Sequence, residues 1–424
     1  MAEMSLGAGQ NWEEMEKMTN DKRHEGFPHI RALNLKGYRP FRDFAAHLSE
    51  LEVIVGANGS GKSSLFEFLK FLRDAVHHNI PPEIISGSVG QQIFHRPGPD
   101  RFQWHIEIQL LQPRCVTPPE KVPDLFSHTV DYRGAVRGPV GRTHVWFEQV
   151  RPHQAERNKF LMDMQEGEGR VQYLEGGQLA RRELFLKSNQ LALSVMTNPS
   201  LATLYHLREF IAAWRFYSAF NINNARIRRS VPIEQEPILH EDGGNLSAVL
   251  FHLMTEYPLM FDELKTHLRS AVPGFRNLTV KARGGPGEVI AFWQERGVDD
   301  VLSLADLSDG ILRFLCWATL CLVPNPPALI CIDEPDQGVH PRTLPILAGL
   351  FEKASTRTQL LLATHASYFL TQFDISRIAV MNKVDGESLY LKPGDSETLR
   401  ANLADFGVAE LEAMHRSDEL EVLA

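Results

Sequence analysis

An α/β fold, with a mostly parallel sheet covered by helices on both faces, is predicted for this chain on three observations. Short apolar runs read as fully buried strands: "LEVIV" from Leu51, "ALICID" from Ala328, "QLLLAT" from Gln359 and "RIAVMN" from Arg377. Helical patterns alternate with the later of these runs, as crossovers between parallel neighbours require. The first run feeds a glycine-rich turn that opens a helix, "GANGSGKSSLFEFLKFL" from Gly56.

The elements follow in order. His29 to Leu35 alternates as a strand, Leu51 to Val55 is a second, and residues 64–76 form a helix. After a Gly/Pro-rich stretch to about Asp100, "FQWHIEIQLL" alternates with period two. From Pro113 to about Gly177, prolines, glycines and short aromatic strands such as "HVWFEQV" predict an inserted β-rich lobe. Residues 200–214 read as a helix, and residues 245–272 as two helices broken near Pro258. Strands follow at 277–283 and 288–294. "SDGILRFLCWATLCLV" from Ser308 is a helix opened by a Ser-Asp cap, and "RTLPILAGLFEKAS" from Arg342 is another. The tail from Glu387 is expected to add a short strand and two small helices. The expected division is a mobile leader at 1–27, one half of a head at 28–112, an inserted β-rich and helical lobe at 113–215 and the second half at 216–424.

Composition narrows the function. Hydrophobic residues at 43% and charged ones at 23% describe an ordinary globular chain with a large core. A net charge of -9 argues against a surface that coats nucleic acid everywhere, so contact with DNA would need a local patch. Candidate patches are Arg181-Arg182 with Lys187, Arg226-Arg228-Arg229, and the scatter Arg133, Arg137, Arg142 and Arg151. No uncharged apolar run approaches the roughly 18 residues of a membrane span, and the N-terminal stretch lacks the apolar centre of a signal peptide. Cys115, Cys316, Cys321 and Cys331 form no CxxC pair and read as thiols, the last three buried. A soluble, cytoplasmic protein with no membrane partner is the expectation.

Four motifs carry the chemistry. Gly56-Ala57-Asn58-Gly59-Ser60-Gly61-Lys62-Ser63 fits G-x-x-x-x-G-K-[ST] between a strand and a helix, with Ser64 following. Such a turn aims backbone N–H groups and a helix N-terminus at phosphates. Lys62 would reach the β- and γ-phosphates of ATP, and Ser63 would ligate Mg2+. Second, an apolar strand ends in Asp333-Glu334. Asp333 would hold Mg2+, mostly through water, and Glu334 would orient or deprotonate the attacking water. Third, His365 follows the next strand and could sense the γ-phosphate. Fourth, Ser308-Asp309-Gly310 opens a helix, where a plain N-cap would explain the serine taken alone.

In this order, the glycine loop, the Ser-x-Gly signature, "LICIDEPDQGVHP" and "LLATHAS" resemble the ABC-type ATPase heads of the RecF/SMC class, and more closely its stand-alone bacterial AAA-domain ATPases. "IRALNLKGYRPFRDF", "FYSAFNINNARIRR" and "LHEDGGNLSAVLFHL" resemble them too. The likeness spans roughly residues 28–410 and is thinnest at 113–200. It implies a P-loop NTPase of ABC-ATPase type with an antiparallel β subdomain, ATP and Mg2+ as ligands, and a homodimer closing on two ATPs. It further implies trans contacts from Ser308 and Gly310, a D-loop role for Asp336, a phosphate-side Arg39 and a Q-loop glutamine at Gln91 or Gln92. The chain departs from its relatives in three ways. Asp309 stands where transporter ATPases have glycine, no long coiled coil separates the halves, and no acidic cluster resembles the Toprim nuclease of the overcoming-lysogenization-defect family. The leading expectation is an ATP-driven dimerisation switch in DNA maintenance or phage defence, its effector a separate nuclease or toxin chain. A transporter ATPase fits less well, because a β-rich lobe separates Lys62 from Ser308. A DNA-binding scaffold with incidental hydrolysis is the third class, and salt-dependent binding would distinguish it.

Overall fold

The computed structural model describes residues 26–80, 93–110, 128–138, 143–156, 159–175, 178–220, 226–283 and 285–395. The leader up to residue 25, Gln91, Gln92, Cys115, Arg142 and the tail beyond residue 395 lie outside them.

Six strands form the central sheet in the order β10 (Arg215–Ser218), β15 (Leu329–Asp333), β16 (Gln359–Ala363), β3 (Leu51–Val55), β17 (Ile378–Val384) and β18 (Glu387–Leu391). All neighbours are parallel except the β17–β18 pair. Each apolar run serves two cores at once because side chains alternate across a strand. Leu51, Val53 and Val55 enter one core and Ile54 the other; Ile330 and Ile332 enter one, Leu329 and Cys331 the other. Helices α3 (Leu246–Glu256), α4 (Pro258–Ala271), α5 (Asp309–Leu322) and α6 (Leu344–Ser355) close the first core, with strands β11 (Val231–Pro232), β12 (Phe275–Ala282), β13 (Glu288–Glu295) and β14 (Leu302–Ser303). Helices α1 (Lys62–His77) and α2 (Ala202–Ala212) and a second sheet close the other.

That second sheet is antiparallel and eight-stranded. It runs β2 (Phe41–His47), β1 (His29–Tyr38), β4 (Arg101–Gln109), β5 (Thr129–Arg137), β6 (His144–Pro152), β7 (Met162–Gln165), β8 (Glu168–Glu175), β9 (Gln178–Phe185). The stretch read as an inserted lobe supplies β5–β9 to the sheet that also holds β1, β2 and β4, so hydrogen bonding continues across the boundary expected at 112. Gln359, fully buried, joins the two sheets. Its side chain accepts from Ile30 N at 2.9 Å and donates to Ile30 O at 2.8 Å and Ser49 O at 3.0 Å.

Among the strands that the sequence does not announce are β2 and β10. β2 is half exposed and short, and β10 follows directly on the helix read as 200–214, which ends at Ala212. β10 exists because β15 pairs along it, Ser218 opposite Asp333, while Glu241 accepts from Phe216 N at 3.0 Å on its open edge. Cys316, Cys321 and Cys331 are buried free thiols, as the sequence suggests.

Glu148 of β6 is a buried carboxyl with a testable signature. It accepts from the Tyr132 hydroxyl at 2.9 Å and from the amides of Ala192 and Leu193. Burial pushes its carboxyl up to about 7, against the pull of those donors. A folded value above the ordinary 4.5 means that the protonated form favours the fold. The associated stability is complete below about 4.5 and is lost as pH rises through about 7. The effect is at most about 3 kcal/mol. Denaturant midpoints measured from pH 5 to 8 should fall more steeply for the wild type than for Glu148→Gln, whose amide cannot titrate. Parallel curves would refute the assignment.

Candidate nucleotide site

The glycine loop leaves β3 and enters α1 with Gly61 as its N-cap, at φ 112°. That backbone suits glycine, and a Cβ there would meet Ser388 Oγ at 2.9 Å and Phe41 at 3.0 Å. Gly56, at φ 148°, packs so closely on Met381 that a Cβ would lie 2.0 Å from its carbonyl oxygen. The loop is therefore wedged between β2, β17 and β18, while Ala57, Asn58 and Gly59 stay exposed at its tip. Lys62, only 6% exposed, folds under the loop. Its ammonium donates to Gly56 O at 2.5 Å, Ala57 O at 3.0 Å and Ser60 Oγ at 3.3 Å. Ser63 is exposed and Ser64 half-buried at the start of a 16-residue helix.

The strand-end carboxylates meet this loop. β15 and β3 flank β16, so Asp333 and Ile54 pair with the same residue, Ala363, from its two sides. Burial and then the neighbouring Glu334 hold the Asp333 carboxyl above its usual range, while Lys62 and His365 pull it down. A cation beside Asp333 would favour its ionised form. Glu334 stands at φ 54°, a left-handed conformation unusual for a glutamate. Its N–H still reaches Ala363 O at 2.8 Å, so the backbone turns sharply while staying tied to the sheet. Strain of about 1–3 kcal/mol of this kind gathers at functional sites.

His365, exposed after β16, feels the same charges. Desolvation and then the Lys62 ammonium lower its imidazole, against Glu334, Asp333 and Asp336. Lys62, Asp333, Glu334, His365 and Asp336 thus form one electrostatic group. Asp336, read as a contact across a dimer, is also tied within its own chain, accepting from the Thr364 hydroxyl at 2.6 Å. Ala366 N donates to that hydroxyl at 3.0 Å, joining the turn after Glu334 to the histidine turn.

Hard oxygen donors suit Mg2+, and the Ser63 hydroxyl, next in the chain to Lys62, and the Asp333 carboxylate, which feels the Lys62 ammonium, are such donors. No group of three His, Cys, Asp or Glu among the described residues could hold a metal, so phosphate oxygens and water would complete the shell. Bound there, the ion would neutralise charge on the phosphates.

Arg39, at φ 47° in the β1–β2 turn, pairs with Glu67 on α1. Ser308 is the N-cap of α5 and accepts from Ile311 N at 3.4 Å. Ser308 and Asp309 are exposed. Among the described residues, no hydrogen bond or ion pair joins them to the glycine loop or to Asp333, Glu334 or His365. Gly310 instead abuts the turn at Gly338: a Cβ on it would lie 3.0 Å from Gly338 O.

Several arginines read as DNA contacts are engaged with carboxylates. Arg151 and Arg133 reach Asp131 at 2.9 and 3.8 Å, and Arg137 pairs with Glu166. The Arg228 guanidinium pairs with Asp309 at 2.7 Å, at the turn that opens α5. Arg181, Arg182 and Lys187 are exposed. No helix among the described residues is long and apolar enough to cross a membrane.

Two family models match the chain. Residues 180–371 match the family described as "AAA domain, putative AbiEii toxin, Type IV TA system", and residues 29–112 match "AAA ATPase domain". No curated protein matches. The fold is similar to that of an SMC head bound to the C-terminal winged-helix domain of ScpA, with 14% identity, 86% of this chain and 97% of that one covered and a TM-score of 0.50. It is also similar to an SMC head with an extended coiled coil, bound to the C-terminal domain of ScpA, from Pyrococcus furiosus, with 12% identity, 89% and 100% covered and a TM-score of 0.50.

Proposed function

We propose that this chain, an AAA/SMC-like ATPase, hydrolyses ATP in a composite site shared by two copies and acts as an ATP-dependent dimerisation switch. One observation carries the reading. The chain presents a cis cluster around Lys62, Asp333, Glu334 and His365, and separately an exposed, serine-capped helix start that no hydrogen bond or ion pair among the described residues joins to those four side chains. A γ-phosphate cradled by one loop still presents oxygens outward, and Ser308 with the start of α5 in a second copy can meet them. In a two-fold dimer such contacts come in identical pairs.

In this reading Lys62 and the loop amides bind the phosphates, and Ser63 and Asp333 hold Mg2+. Glu334 accepts a proton from the water that attacks the γ-phosphorus, while the bond to the β-phosphate oxygen breaks and ADP and phosphate leave. His365 orients the γ-phosphate. ATP favours the closed dimer by binding it better than the open form. The shape change would be read by a partner effector chain, in DNA maintenance or phage defence. The toxin description of the family matched at 180–371 supports an effector setting.

Ser308→Arg tests the composite site. It puts bulk and a cation at the seam and leaves the residues of the cis cluster unchanged. ATP affinity should stay within about twofold, while ATP-dependent association measured by light scattering disappears and turnover drops by about 100-fold. Turnover at the wild-type rate would mean that the glycine loop works alone.

A further inference from the structure

We propose that Arg228 is a positioning residue for the trans half of the site: its guanidinium sets the turn that presents Ser308. The inference rests on the composite-site reading. One side chain gathers four acceptors from a single short stretch. Nη1 donates to the carbonyls of Ala305 at 2.9 Å, Leu307 at 3.0 Å and Leu304 at 3.3 Å, and Nη2 donates to Asp309 Oδ1 at 2.7 Å.

The stretch needs such a donor. Leu304–Asp306 is a single 3-10 turn, closed at its start by a capping box between Ser303 and Asp306. At its far end the chain becomes extended at Leu307 and Ser308 (ψ 147° and 152°) before α5 begins. Carbonyls at a helical end that does not continue take donors from side chains or water. A planar fork of five donors can serve several of them at once, whereas an ammonium is a point charge. The anchor is firm, because the adjacent Ile227 is 1% exposed in the core. The clamp also gives Asp309 a role, in the place where transporter heads carry glycine. Its carboxylate lies in the first turn of α5, where negative charge is favoured, and holds the second arm of the fork.

The Asp309 and Arg228 side chains are 52% and 23% exposed, so the ion pair adds little to folding stability. Its expected effect is on where Ser308 points. Arg228→Ala, Arg228→Lys and Asp309→Asn should be compared with wild type and Ser308→Arg, measuring ATP affinity and turnover across protein concentrations. Affinity should stay within about twofold, while Arg228→Ala loses about tenfold in turnover at saturating ATP and needs more protein to reach half its maximum. Arg228→Lys should recover little. Arg228→Ala combined with Asp309→Asn should cost no more than Arg228→Ala alone, as partners in one contact do. Wild-type turnover and concentration dependence in Arg228→Ala, with Ser308→Arg inactive, would overturn the clamp and leave the composite site standing. Should Arg228→Ala not fold, Asp309→Asn at its exposed position decides: wild-type turnover there overturns the clamp. Wild-type turnover in Ser308→Arg would overturn both.

Discussion

Lys62→Ala is expected to abolish ATP binding at micromolar nucleotide. The ammonium is held under the loop by Gly56 O, Ala57 O and Ser60 Oγ, so it is already confined where phosphate oxygens would replace those acceptors. Losing charge-assisted contacts to two phosphates costs on the order of 3 kcal/mol or more, roughly 100-fold in Kd. Calorimetric titration with Mg-ATP reads the loss directly. The variant also leaves two loop carbonyls without their donor, so its thermal midpoint must be followed in parallel. A folded variant with wild-type affinity would remove the glycine loop from the nucleotide site.

Glu334→Gln should separate binding from turnover. The amide keeps the shape of the side chain and the left-handed backbone at φ 54° but cannot take a proton. General-base loss of this kind is worth roughly 100- to 10,000-fold in rate. ATP affinity should persist and dimers should accumulate in Mg-ATP, visible as a doubling of scattering mass, because the open form is regained only after hydrolysis. If the wild type is already a stable dimer, the readout becomes ATP-dependent compaction in solution scattering. A Glu334→Gln variant that turns over at the wild-type rate would move the base elsewhere, with His365 the next residue to test.

The central parallel strands and most helices were legible, because each carries its own periodicity. β3, β15, β16 and β17 are continuous apolar runs, and the break at Pro258 separates α3 from α4 in the structure as in the sequence. β2 and β10 were not legible, since a short strand owes its existence to partners distant in the chain. The same limit applied to charge. Arg226, Arg228 and Arg229 look like a basic patch when written in a line. In space Arg228 is turned toward the carbonyls before α5 and the Asp309 carboxylate, 76 to 81 positions away.

By itself the sequence determined the local chemistry: a glycine loop that opens a helix, two carboxylates at a strand end, a histidine after the next strand, and a serine that caps a helix. Each is a short segment whose backbone preferences and side-chain donors act within a few residues. Their grouping was a tertiary matter. The order β15-β16-β3 brings Asp333 and Glu334 to Lys62, the Thr364–Asp336 hydrogen bond ties the turn after Glu334 to the histidine turn, and Arg228 reaches the turn before α5. Such pairings depend on register and packing between segments far apart in the chain. The free energy that selects them comes from burying apolar surface in the two cores on either face of one sheet, and no single segment holds that information.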